Sequence, residues 1–340
     1  MKWLKRITLG VVGLVLLAAM AGAGYEALAR RRAARDFPPP GQLVDVGGGR
    51  RMQLDCRGSG SPIVVLEAGL DTNGSLSWAT VHDSLAAISR TCAYSRAGVM
   101  WSDQKPGPHD ADHVADDLKA LLTAAGEPGP YVMAGHSLGG PYIMTFTRHF
   151  PADVAGLVFV DASHPDQKKR FEEAVGGLPE PGLTAFRIGS ALGWTGLVRF
   201  LAPVGRNDKI PDQVEAAMAA YLPTSLPGLL AEYAALDTTM AEGGMLRDLG
   251  DRPIVVLTAM APMDSTVRAA VGLDEAGAAK FQQTWNALHV EEASWSTRSE
   301  HVVVPDATHY IQVDRPDVVI GAVRRVVDLV RQPGPAPDPS

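Results

Sequence analysis

Ser137 stands between glycines placed two residues to either side, in Gly135-His136-Ser137-Leu138-Gly139. The stretch follows the strand-forming run Tyr131-Val132-Met133 and leads into LGGPYIMTFTRHF, which has helical spacing. A hydroxyl is a poor nucleophile until a base removes its proton, so a reactive serine needs a histidine in reach and an acid to orient it. Strand, tight turn and helix supply the first half of that arrangement. The turn lifts the hydroxyl above the sheet edge, the glycines leave room, and N–H groups opening the helix suit a developing oxyanion. A plain Gly-Ser turn fits the same five residues, so the partners decide.

The elements that must position these residues alternate. QLVDVGGGRRMQLDCRG reads as two strands joined by the turn Gly47-Gly48-Gly49, and PIVVLEAG as a strand buried on both faces. WATVHDSLAAIS predicts a helix, RTCAYSRAG a strand, HVADDLKALLTAAG a helix, YVMAGHS a strand and VAGLVFVDAS another. RPIVVLTAM and EHVVVPDATH predict the last two strands, around the helix KFQQTWNALHV, and PDVVIGAVRRVVDLV closes the chain as a helix opened by Pro316. Such alternation implies a mostly parallel sheet with helices on both faces. From 164 to 250 the strand signals give way to amphipathic helices, expected as an inserted cap within one domain spanning 42–331. Residues 332–340, rich in proline, are expected as a disordered tail.

The chain has 340 residues and is 46% hydrophobic, enough for a sizeable core. Its net charge of −7 argues against nucleic acid as a main partner. At the N-terminus, Ile7 to Gly24 forms an uncharged segment of 18 residues flanked by Lys2, Lys5 and Arg6. That length suits a membrane span and exceeds the usual apolar region of a signal peptide, although Ala21-Gly22-Ala23 and Ala27-Leu28-Ala29 would permit cleavage. Residues 1–29 are therefore expected as an uncleaved anchor in the lipid bilayer, and 30–41 as a basic, proline-stiffened spacer. Arg30, Arg31, Arg32 and Arg35 on the far side make the positive-inside count lean towards a cytoplasmic domain, while the export-type N-terminus leans the other way, and an extracytoplasmic domain is expected. No metal or cofactor motif is present: H-E-x-x-H, paired C-x-x-C and the P-loop are all missing, and the glycine run at 47–49 lacks dinucleotide spacing.

From about Gln42 to Val330 the chain resembles the α/β-hydrolase superfamily, in its cap-bearing, esterase-like branch. The stretches that carry the resemblance are LEAGL (66–70), YSRAGVMWSD (94–103), GHSLGG (135–140), LVFVDASHPDQ (157–167) and DATHYIQVDRP (306–316). The resemblance implies an α/β fold with a mostly parallel eight-stranded sheet, helices on both faces, and a helical cap after the sixth strand. It also implies a serine hydrolase that cleaves carboxylic esters through an acyl-enzyme.

Within that family the order is Ser, acid, His, which makes Ser137 the nucleophile and His309 the base. The remaining histidines are expected elsewhere: His136 pointing away, and His82, His109, His113, His149 and His289 at the surface. Two aspartates compete for the acid. Asp161 closes VFVDAS; Asp264 follows IVVLTAM, where many members carry theirs, but TAMAPMD lacks the usual Gly-x-x-Asp turn. Asp161 is favoured. The oxyanion hole falls to the backbone N–H groups of Leu70 and Leu138. Two departures from the family pattern stand out: Ala68 replaces a histidine that often braces the loop, and Ser95 replaces a structural aspartate.

The strand order of the family sets Cys56 beside Cys92, where they form either a disulfide or two buried thiols. A bridge would favour an extracytoplasmic domain. In the cap, Phe171, Leu183, Phe186, Leu192, Trp194, Leu197, Phe200 and Leu201 either roof a pocket for an apolar acyl substrate or form the buried face of cap helices. A C–C-bond hydrolase, thioesterase or amidase would use the same residues, and a non-catalytic, membrane-tethered binding protein could keep the fold. Aspartate-nucleophile relatives are disfavoured by Ser137.

Overall fold

The computed structural model of the chain describes residues 2–179, 182–201 and 207–332. Eight strands form one sheet: β1 (Gln42–Asp45), β2 (Arg51–Arg57), β3 (Ile63–Glu67), β4 (Thr91–Tyr94), β5 (Tyr131–His136), β6 (Val154–Val160), β7 (Pro253–Ala259) and β8 (Arg298–Val304). Their spatial order is β1-β2-β4-β3-β5-β6-β7-β8. β2 pairs antiparallel with β1 and with β4, and every pair from β4 to β8 is parallel. Buried on both faces, β3, β5 and β6 read in the sequence as unbroken apolar runs.

Helices α1 (Lys2–Asp36), α2 (His82–Ala86), α3 (Ala111–Ala124) and α4 (Gly139–His149) precede the cap. Between β6 and β7 the chain leaves the sheet for α5 (Gln167–Val175), α6 (Thr184–Leu192), α7 (Leu197–Leu201), α8 (Asp212–Ala234) and α9 (Leu236–Gly243). After β7 come α10 (Ser265–Ala270) and α11 (Glu275–Ala293), and after β8 come α12 (Ile311–Asp314) and α13 (Pro316–Arg331). One sheet face packs on α3, α4 and α11 through Leu118, Leu121, Phe146 and Ala293. The other packs on α2 and α13 through Leu85, Val319, Val323 and Val326. Side-chain caps start several helices: Asp110 accepts from His113 N at 3.1 Å, and Asp274 from Gly277 N at 2.7 Å.

Four sequence expectations change. WATVHDSLAAIS is not one amphipathic helix: a short 3-10 turn ends at Trp78 and α2 starts only at His82, and between them the Thr80 hydroxyl donates to Gln312 O at 2.5 Å. The last strand stops at Val304, so His309 lies on a loop beyond it. The N-terminal helix runs through the basic segment to Asp36, which shortens the proline spacer. Of the histidines expected at the surface, His82, His109 and His289 are buried. His82 Nε2 bonds Thr91 O, and His289 lies between Ala162 O and Thr258, which satisfies their ring nitrogens inside the protein. Residues 333–340, most of the expected tail, lie outside the described residues.

Cys56 and Cys92 are directly opposite each other on β2 and β4 and are joined as a disulfide.

Candidate active site

Open α/β sheets bind ligands beyond the carboxyl ends of their strands, and Ser137, Asp161 and His309 all fall there. Ser137 follows β5 directly with φ +53°, and Asp161 follows β6 with φ +44°. Both sit in the left-handed region, which costs on the order of 1–3 kcal/mol for a residue with a Cβ and persists only where its surroundings enforce it. The glycines around Ser137 now have a reason. A Cβ on Gly135 would lie 2.6 Å from Gly139 O, and one on Gly139 would lie 2.5 Å from Glu67 O. Gly69, on the loop after β3, presses on the serine itself: a Cβ there would come within 2.9 Å of Ser137 Cβ.

His309 Nδ1 lies 2.7 Å from Asp161 Oδ2. A carboxylate only accepts, so this contact puts the imidazole proton on Nδ1 and leaves Nε2 free to take one. Asp161 Oδ1 accepts two further bonds at 2.8 Å, from Ala259 N and Trp285 Nε1. Burial alone would push this carboxyl up. The hydrogen bond and charge of His309, the charge of His289 and the Trp285 indole outweigh it and hold the carboxyl below its usual range.

Asp264 makes no such contact. Its side chain caps α10 by accepting from Val267 N at 2.9 Å, at the rim of the same cavity.

Ser137, Asp161 and His309 line one cavity of about 630 Å³. Its apolar wall is a stack of rings, with Phe171 4.4 Å from Phe281 and 5.8 Å from Trp285. Among the described residues no hydrogen bond joins Ser137 Oγ to His309; such contacts are often long in unliganded sites and tighten with substrate.

His136 turns towards His309. Its Nε2 donates to His309 O at 2.8 Å and its ring lies 4.7 Å from the His309 ring, so it buttresses the loop that carries the imidazole. Burial, seconded by the charge of His309, lowers His136 to about 3, and its Nδ1 is buried without a partner. A ring this reluctant to ionise is no rival base.

The loop after β3 carries Leu70, and its brace is a residue the sequence reading passed over. Where Ala68 removes the familiar histidine, Arg96 takes over. Its Nη1 donates to Ala68 O at 2.7 Å and its Nη2 to Gly69 O at 2.6 Å. The same buried guanidinium bonds Glu67 on β3 and, through Nε and Nη2, Glu232 on cap helix α8. Tyr94 donates to the second oxygen of Glu67. Arg96 lies inside YSRAG, but its partner is 136 residues away in the chain and nothing in the sequence pairs the two. Ser95 supports the neighbouring turn by donating to Gln53 Oε1 at 2.8 Å and accepting from Ser75 N at 3.3 Å. The backbone N–H groups of Leu70 and Leu138 donate to no other backbone carbonyl among the described loops, while their side chains pack together beside Tyr142.

Trp285 was not foreseen either, because nothing in a helix sequence marks which ring will reach a carboxylate across the fold. His164, Asp166 and Glu291 gather near the cap base, but Arg247 already donates to both carboxylates, at 2.7 and 3.1 Å, and fills the place of a cation.

Residues 58–322 match the model of the alpha/beta hydrolase family. The chain belongs to that family. RutD of Azorhizobium caulinodans, whose name provisionally makes it a carbamate hydrolase, is 28% identical over 273 residues, covering 76% of this chain and 92% of RutD. A stretch of 130 residues is 38% identical to efuK of Hormonema carpetanum, which carries a provisional transporter name; this is 36% of the chain and spans only 18% of efuK. Among solved structures, a thermophilic esterase from Thermogutta terrifontis superposes with a TM-score of 0.56 at 21% identity, covering 85% of this chain and 98% of the esterase.

Proposed function

We propose that the protein is a serine hydrolase that cleaves carboxylic esters through an acyl-enzyme on Ser137. The observation that carries this reading is the 2.7 Å contact of His309 Nδ1 with buried Asp161, at the wall of the cavity that also exposes Ser137. In the proposed cycle Ser137 Oγ attacks the ester carbonyl carbon as its proton passes to His309 Nε2. The tetrahedral oxyanion takes hydrogen bonds from the N–H groups of Leu70 and Leu138. The carbon–alcohol bond then breaks, and Nε2 returns the proton to the departing alkoxide. Water repeats the sequence on the acyl-enzyme and releases the carboxylic acid. Asp161 keeps the imidazole in the required tautomer and stabilises its cation. The ring-lined wall of Phe171, Phe281 and Trp285 suits an apolar acyl group.

A fluorophosphonate, which needs an activated serine, tests this. Labelling of the wild type that vanishes in Ser137→Ala supports the reading. Folded wild type that takes no label overturns it in favour of a non-catalytic member.

For the N-terminus we propose an uncleaved single-span anchor over Ile7–Gly24, with the hydrolase domain on the extracytoplasmic side. The helix α1 contains an 18-residue window of mean hydropathy 2.2, none of it buried against the protein. The Cys56–Cys92 bridge supports that side, since disulfides persist where thiols are not kept reduced.

A further inference from the structure

The cap residues expected to roof the pocket or pack inward do neither for the most part. Phe171 reaches the cavity, but Phe186, Trp194, Leu197, Phe200 and Leu201 are exposed, Phe200 by 72% and Leu201 by 69%. Burying or leaving wet such a patch is not neutral: contiguous exposed apolar surface marks an interaction site.

What lies beside the patch identifies its occupant. The segment Gly193–Leu201 is clamped to α1 at the end of the apolar stretch. Gly22 abuts Thr195 so closely that a Cβ would lie 2.4 Å from Thr195 O, and the Tyr25 and Phe200 rings stack at 5.1 Å. Glu26, 2% exposed, receives Arg199 Nε at 2.7 Å and Nη2 at 3.0 Å, and Arg30 Nε at 2.9 Å. The 18 residues from Ile7 to Gly24 rise about 27 Å as a helix, close to the thickness of a bilayer's hydrocarbon core. Residues 22–26 therefore fall at the hydrocarbon–headgroup boundary, the depth at which Trp and Tyr concentrate. Trp194, Leu197, Phe200 and Leu201 share that depth because the clamp fixes them there. Arg30, Arg31, Arg32 and Arg35 follow on the headgroup side.

We infer that this cap face is a second membrane contact, seated in the interfacial layer of the leaflet where the anchor ends. The inference rests on the reading of Ile7–Gly24 as a span, and is independent of the serine chemistry. It makes the hydrolase a two-point attachment: the helix holds the chain in the bilayer, and the cap fixes the domain's tilt on the surface.

The test uses the full chain reconstituted into vesicles of phosphatidylcholine with a minor fraction of phosphatidylglycerol. Single cysteines, Leu14→Cys, Phe200→Cys and Val303→Cys, each carry an environment-sensitive nitrobenzoxadiazole label without reduction of the native disulfide. Val303 is an exposed control on β8, the sheet edge opposite β1. Lipids with a spin label near the headgroup should quench the label at position 200, lipids with a spin label deep in the acyl chain should quench the label at position 14, and neither should affect position 303. Quenching at 14 but not at 200 overturns the cap contact and spares the anchor. Absence of quenching at both overturns the two together. A blue-shifted, unquenched label at 200, together with cross-linking between copies of the unlabelled Phe200→Cys protein, also overturns it, assigning the patch to a second copy of the chain.

Discussion

Two side chains carry opposite lessons about charge. Asp161 is kept ionised by the groups around it, and His136 is kept neutral by burial, first, and by the charge of His309. An unfolded histidine protonates near 6.5, whereas folded His136 resists until about 3. Between those values the unfolded chain binds a proton that the folded chain refuses, so His136 lowers stability as pH falls from about 6.5 to about 3. Urea midpoints across that range should fall faster for wild type than for His136→Gln; parallel curves would contradict the assignment. The acid is separable in the same way. Asp161→Asn should lower kcat by about 10³–10⁴, since an amide can hold the imidazole in the wrong tautomer. Asp264→Asn keeps a good helix cap and should leave kcat within about threefold. If the larger loss follows Asp264, the imidazole contact seen here is not the working one. The serine, the histidine and the preferred aspartate were legible because each ends a recognisable strand or follows one in family order. Trp285 and the inward turn of His136 were not, since both depend on distances between segments that periodicity does not encode.

At the level of elements, Arg96 ties three of them together: strand β3 through Glu67, the loop that follows it through two carbonyls, and cap helix α8 through Glu232. All three charged groups are buried, so each depends on the others for its partners. The sequence flagged the loss of a brace at Ala68 but could not place its substitute, because Glu232 comes from an insertion whose packing has no periodic signature. Glu232→Gln should keep a hydrogen bond yet lose the charge pairing, costing about 1.5–3 kcal/mol. Thermal unfolding should drop by several degrees. Because the loop bears Leu70, the proposed oxyanion donor, kcat should fall more than KM rises. Lost stability with an unchanged kcat would make the network structural alone. The mostly parallel sheet was legible because β3, β5, β6 and β7 are mostly apolar and alternate with helices, whereas the eight-stranded order came only with the family resemblance. Boundaries were less so. The helix of α1 overran its expected end because its arginines and alanines are good helix formers, and polarity alone does not stop a helix.

Seen whole, the molecule gathers the ends of four strands, β5, β6, β7 and β8, around one cavity. Its bulk properties, acidic charge and ample apolar content, said only that it was a globular protein with little taste for nucleic acid. The chemistry depends on the convergence. Intact-mass and peptide spectra of enzyme quenched during turnover of a p-nitrophenyl ester measure that convergence directly. An acyl group on Ser137, formed with a burst of p-nitrophenol and absent in Ser137→Ala, is the result expected. Continued ester hydrolysis by enzyme that never carries an acyl group at Ser137 would contradict it.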